Sequence, residues 1–110
     1  MIKSYIKESN NGSITLSIKG HAGAAEEGYD IVCSSVSILA YTLAQYVSDC
    51  YKNGKLEQEP IIILEKGEGG VTSTPKKEYY DDIKQGYAFA HIGLTLLSHN
   101  YPQYVDKTVW

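Results

Sequence analysis

A change of hydrophobic period in the first half of this chain constrains its fold more than any other feature. Ile14, Leu16 and Ile18 alternate strictly with polar neighbours, the two-residue period of a strand with one buried face. From Asp30 onward the period becomes helical. Val32, Val36, Leu39, Leu43, Tyr46 and Cys50 step by four, three, four, three and four, which predicts one apolar stripe along a helix of about five turns. Asp30 is placed to cap that helix, and Lys52-Asn53-Gly54 ends it.

The flanking segments extend the pattern. Ile2, Tyr5 and Ile6 lie on a first strand, and Asn10-Asn11-Gly12 turns it into the second, giving a hairpin. Residues 20–29, GHAGAAEEGY, carry three glycines among small residues, so a loop is expected there. Pro60 introduces a strand over Ile61–Glu65, and Gly67, Gly69 and Gly70 return it as Val71–Thr74, closed by Pro75. A second helix is expected over about residues 80–98, with Ile83, Tyr87, Ala90, Leu94 and Leu97 on one face. Phe89, Ile92 and Leu96 give it a second apolar flank. The tail, Tyr104–Trp110, alternates as a last short strand. The order ββαββαβ predicts an α+β fold, two helices packed on a largely antiparallel sheet. At 110 residues the chain is expected to form a single domain, 1–110, around one core.

Composition excludes several function classes. Ten Lys stand against thirteen acidic residues for a net charge of −3, and there is no Arg. Without that bidentate fork, and with no basic cluster beyond Lys76-Lys77, no nucleic-acid partner is expected. The longest unbroken apolar run, residues 60–64, is far shorter than a bilayer span, and MIKSYIKESN lacks the apolar core of an export signal. The expectation is a cytoplasmic protein with no membrane partner. Its two cysteines, Cys33 and Cys50, are then expected to be free. Seventeen helical positions also separate them by ~25 Å, too far for a bridge. His91 and His99 offer no ligand spacing with His21 or Cys33, so neither a metal nor a cofactor is expected.

Cys33 falls near the start of the first helix, where unpaired backbone N–H groups and the helix dipole favour an anion. Such a position favours a thiolate, and the same amides can hold an oxyanion. His21 stands twelve residues earlier, joined to Cys33 by a segment long enough to fold back. A Cys with a reachable His is the minimal nucleophile–base pair for acyl transfer. The residue chemistry alone equally describes a small buried apolar side chain beside a Gly-His turn. Cys50, late on the apolar stripe, reads as inert core.

The run GHAGAAEEGYDIVCSSVSIL, residues 20–39, closely resembles the signature of the ribosomal-processing cysteine protease family, Prp. Gly20, His21, Ala22, Asp30, Ile31, Val32, Cys33 and Ser37 match it. The resemblance implies a peptidase that removes an apolar, Phe-rich N-terminal leader from a large-subunit ribosomal protein during ribosome assembly. It also implies a homodimer. His21 is then the general base and Cys33 the nucleophile, with Gly20, Asp30 and Ser37 as supporting positions. Ser34-Ser35 depart from the small residues that follow the nucleophile in many relatives. The alternative is a non-enzymatic peptide-binding or ribosome-assembly module in which Cys33 is a bystander.

Overall fold

The computed structural model describes the backbone of residues 1–20 and 27–110, and the side chains of all of these except 27–30. Its elements are β1 (Lys3–Glu8), β2 (Ile14–Lys19), α1 (Glu27–Lys52), β3 (Ile61–Glu65), β4 (Glu68–Ser73) and α2 (Tyr80–Asn100), the last entered through a short 3-10 turn at Lys77–Tyr79. The strands form one antiparallel sheet in the order β1-β2-β4-β3. The tail takes the place of the last expected strand. It runs parallel to β1 with bridges at Ile2↔Val105 and Tyr5↔Val109, so the α+β order ββαββαβ is the one observed.

The two-residue period of β2 works as read. Ile14, Leu16 and Ile18 are buried on the sheet's inner face, opposite Ser73, Val71 and Gly69 of β4. Both helices cover this face. α1 contributes Val32, Val36, Ala40, Leu43, Ala44, Val47 and Cys50, and α2 contributes Ile83, Tyr87, Ala90 and Leu94. Each fully buried aliphatic side chain of this kind stabilises the fold by roughly 1.5–3 kcal/mol.

Tyr87 is wholly buried at the centre of this layer. Its hydroxyl donates to the Val71 carbonyl at 3.2 Å and therefore accepts from Ser73 Oγ at 2.8 Å. Burial pushes the Tyr87 phenol well above its ordinary range, so it remains a proton donor and ties α2 to β4.

Two details of α1 differ from the periodicity. Tyr46 leaves the buried stripe and is 37% exposed. It turns with Leu39 toward α2, where Gly86 and Gly93 receive the two side chains. A Cβ at Gly86 would stand 2.6 Å from the Tyr46 ring, and one at Gly93 would stand 2.6 Å from Leu39 Cδ2. The paired sevenfold spacings, 39 with 93 and 46 with 86, set the helices antiparallel at close range, and the Tyr46 hydroxyl donates to the Asp82 carbonyl. The second correction concerns the helix start. It begins at Glu27 rather than at Asp30, within a segment read as loop from its glycines, which are poor helix formers. Gly28, expected in the loop, lies in the helix. At the far end Gly54 takes φ +75°, and Lys55 N–H returns to the Cys50 carbonyl, the stop expected at Lys52-Asn53-Gly54.

Ile31–Lys52 is also long and apolar enough to cross a bilayer by length and composition, with mean hydropathy 1.4. An unbroken-run criterion passes over it because polar residues interrupt the sequence. In this fold the segment lays its buried stripe on the sheet and leaves Ile31, Ile38 and Tyr41 exposed.

Candidate active site

One wall of a groove of about 420 Å3 is the first half of α1, which contributes Cys33, Val36, Ser37, Ala40 and Tyr41. Helical spacing explains the set: Cys33, Ser37 and Ala40 step by four and three and share one face. The β3–β4 turn, Leu64–Gly69, forms the opposite wall, and Ile2, Ile18 and Gly20 complete it. Cys33 is partly exposed there, whereas Cys50 is buried at 4% exposure, and both are free thiols.

Gly20 is fixed by geometry that only glycine meets. Its φ is +106°, and a Cβ would collide with the Met1 carbonyl oxygen. Its N–H donates to the Gly67 carbonyl at 3.0 Å, so the end of β2 is fastened to the turn that faces Cys33. Three of the expected site residues thus share one groove: Gly20, Cys33 and Ser37. His21 lies outside the described residues, as does Gly23. Asp30 belongs by its backbone to the first turn of α1 and so is not the N-cap. Its side chain lies outside the described residues.

The earlier helix start changes the environment expected for Cys33. Cys33 is the seventh residue of α1, and its N–H reaches a carbonyl one turn back. The free amides of a helix lie in its first turn, before Cys33, and the dipole's influence falls off within that turn. The expectation that Cys33 sits among unpaired amides is therefore corrected. The Ser35 hydroxyl is engaged elsewhere: its Oγ donates to the Ile31 carbonyl at 2.8 Å.

The remaining candidates lie elsewhere. His91 packs edge-on against Trp110, with ring centroids 5.4 Å apart, and His99 occupies the last turn of α2. Neither lines the groove. Among the described residues no group of three His, Cys, Asp or Glu could hold a metal ion. Sequence reasoning missed the wall opposite Cys33, where Glu65, Lys66 and Glu68 supply a charged rim. The glycines around residue 67 marked a turn, but nothing in the sequence aims that turn at α1.

With this geometry in place, comparison with known proteins is decisive on one point. The family model described as cysteine protease Prp matches residues 1–106. The chain belongs to the Prp cysteine protease family. No curated protein matches it. Among solved structures, SMU.848 from Streptococcus mutans is 22% identical with a TM-score of 0.70, the match covering 99% of this chain and 93% of that one. An essential ribosomal processing protease Prp from S. aureus, in complex with a covalently linked product peptide, is 19% identical with a TM-score of 0.71 over the whole of both chains. The same S. aureus protease with a substrate peptide gives 17% identity and a TM-score of 0.61, covering 100% of this chain and 96% of that one. At these identities the structural likeness establishes a shared fold. Membership in Prp rests on the family match.

Proposed function

We propose that this protein is a cytoplasmic cysteine endopeptidase that removes an apolar N-terminal leader from a large-subunit ribosomal protein during ribosome assembly, working as a homodimer. The observation that carries the reading is the exposure of Cys33 on the wall of the groove, in a chain of the Prp family. The apolar lining from Ile2, Ile18, Val36, Ala40 and Leu64 suits an apolar leader. The covalently linked product peptide of the S. aureus relative is what a nucleophilic site leaves behind, and it favours an enzyme over a non-enzymatic peptide-binding module.

In this mechanism His21 takes the Cys33 proton and the sulfur attacks the scissile carbonyl. The tetrahedral intermediate collapses as the imidazolium returns that proton to the leaving amine, giving an acyl-enzyme. Water, deprotonated by His21, then cleaves the thioester and frees the leader. Gly20 anchors the chain at the groove wall immediately before His21. Ser37 presents its hydroxyl one turn beyond the sulfur, within reach of a bound peptide. Asp30 acts in the first turn of α1 as a supporting charge.

The reading is tested by incubating the protein with a leader-bearing large-subunit ribosomal protein and measuring intact mass. A discrete N-terminal truncation is expected, and an unchanged mass would overturn the assignment. The homodimer draws support from Phe89, Ile92 and Leu96, which are 65%, 52% and 56% exposed on α2. Phe89 also lines an apolar groove of about 530 Å3 between the helices, and exposed apolar surface of this kind is what a two-fold partner covers. Sedimentation at micromolar concentration is expected to give a dimer, and a monomer would remove that part of the reading.

A further inference from the structure

The two edges of the sheet are finished differently. On the β1 edge four of the outward backbone groups are taken by the tail. Ile2 N–H donates to the Tyr104 carbonyl and Ile6 N–H to the Val109 carbonyl, while the Ile2 and Ser4 carbonyls accept from Asp106 and Val109. On the β3 edge the two-residue turn Lys66-Gly67 joins Glu65 to Glu68, which makes that pair hydrogen-bonded. By alternation Ile61 and Ile63 direct their backbone groups at β4, and Ile62 and Leu64 direct theirs outward. Among the described residues none takes those outward groups.

This edge also lacks the devices that ordinarily protect one. No charge falls within Ile61–Leu64, the pairing with β4 runs without a bulge, and Ile61, Ile63 and Leu64 are 58%, 40% and 38% exposed. Pro60 guards only the entry. The strand leads directly into the groove, because Leu64 and Glu65 line it together with Cys33, Ser37 and Tyr41.

We infer that the free edge of β3 is the subsite that binds substrate backbone: an extended, uncharged, apolar stretch of polypeptide adds as one further strand beside Ile61–Leu64, and its continuation enters the groove at Cys33. The inference rests on the peptidase reading above. Main-chain bonds to Ile62 and Leu64 supply affinity without regard to side chains. Selection comes from the two faces of the added strand. One meets Ile61 and Ile63 on the open side of the sheet, and the other meets Leu64 and Tyr41 beside α1, so a charged residue on either face would lose its water. A second copy of this chain paired on the same edge would close the groove over Cys33, which a peptidase site cannot accommodate.

Amide hydrogen exchange on the Cys33→Ala variant, read residue by residue with a synthetic peptide spanning the leader junction, tests this directly. With saturating peptide the Ile62 and Leu64 amides are expected to slow at least about tenfold, while Ile61 and Ile63, already in the ladder, change little. Peptide binding without slowing at Ile62 and Leu64 would overturn the inference and leave the peptidase reading standing. Slowing that follows protein concentration without peptide would overturn it in favour of a second copy. Absence of both binding by this variant and cleavage by the wild-type protein would remove the peptidase reading itself, and this inference with it. In the otherwise native enzyme, Ile62→Pro deletes one outward N–H and spares the β4 ladder, whereas Ile62→Ala loses the same side-chain packing and keeps the N–H. The proline variant is expected to raise KM roughly five- to tenfold over the alanine variant, and equal KM values would count against the inference.

Discussion

Two cysteines stand on one helix, and they differ in everything but residue type. Cys33 looks across an open groove at the β3–β4 turn. Cys50 is sealed among core side chains near the last turn, where its carbonyl accepts from Lys55. The helical stripe explains the second and not the first. Cys50 continues the period through Val36 and Leu43, while Cys33 stands one position past Val32 and so leaves the buried line. A one-residue step on a helix is about a hundred degrees of rotation, and here it separates a buried thiol from one that lines a groove.

The largest effect that can break this contrast is on turnover. Cys33→Ala is expected to reduce leader removal at least about a thousandfold, as loss of a covalent nucleophile does, while Cys50→Ala stays within a few-fold of wild type. Intact-mass time courses check both, and similar rates for the two variants would place Cys33 with the packing residues. Next in size is access. Iodoacetamide at neutral pH is expected to label Cys33 at least about a hundred times faster than Cys50, because Cys50 reacts only through opening of the core. Peptide mapping at early times distinguishes the sites.

The contrast reverses in stability. Cys50→Ala leaves a cavity and is expected to cost about 1–2 kcal/mol. Cys33→Ala, at a partly exposed position, is expected to cost less than about 0.5 kcal/mol. Urea midpoints at constant m-value measure this.

The smallest effect lies away from both cysteines and serves as their common control. Glu8 accepts from Lys84 Nζ at 2.9 Å, from the Tyr80 hydroxyl at 2.8 Å and from Trp110 Nε1 at 3.2 Å. The Lys84 bond first, and the Tyr80 bond next, hold its carboxyl below the ordinary 4.5. A depressed carboxylate contributes stability that is present above its unfolded value and is lost as pH falls through the folded one. Acid titration of the fluorescence of Trp110, the sole tryptophan, is therefore expected to show a transition below pH 4.5 that Glu8→Gln removes. Labelling of both cysteines is expected to be unchanged in that variant.

Much of this architecture was legible because short-range periods carried it. The alternation of Ile14, Leu16 and Ile18 fixed which face of β2 is buried, and the stepping through Val36, Leu43 and Cys50 fixed the inner face of α1. The exposed flank of Phe89, Ile92 and Leu96 was equally plain. Reading failed where a distant partner decides. Tyr46 left its stripe because Gly86, forty residues on, offers space that no local pattern announces. The true start of α1 was hidden by Gly28, a poor helix former that nonetheless lies within the helix. At the site, Cys33 and Ser37 share a face by spacing alone, and Gly20 proved to be a residue that nothing else can replace. The facing turn, and the open edge of β3 that leads to it, come from pairings the sequence does not encode locally.

The clasp between β1 and residues 104–109 has a consequence for how the molecule is made. Glu8 and Trp110 meet although 102 positions separate them, so β1 emerges during synthesis long before its outer neighbour exists. The closure cost grows only logarithmically with that separation, and the obstacle is waiting time rather than free energy. Throughout the wait the outward amides and carbonyls of Ile2, Ser4 and Ile6 are open to any competing strand. A nascent chain interrupted before residue 104 would still present that edge unpaired.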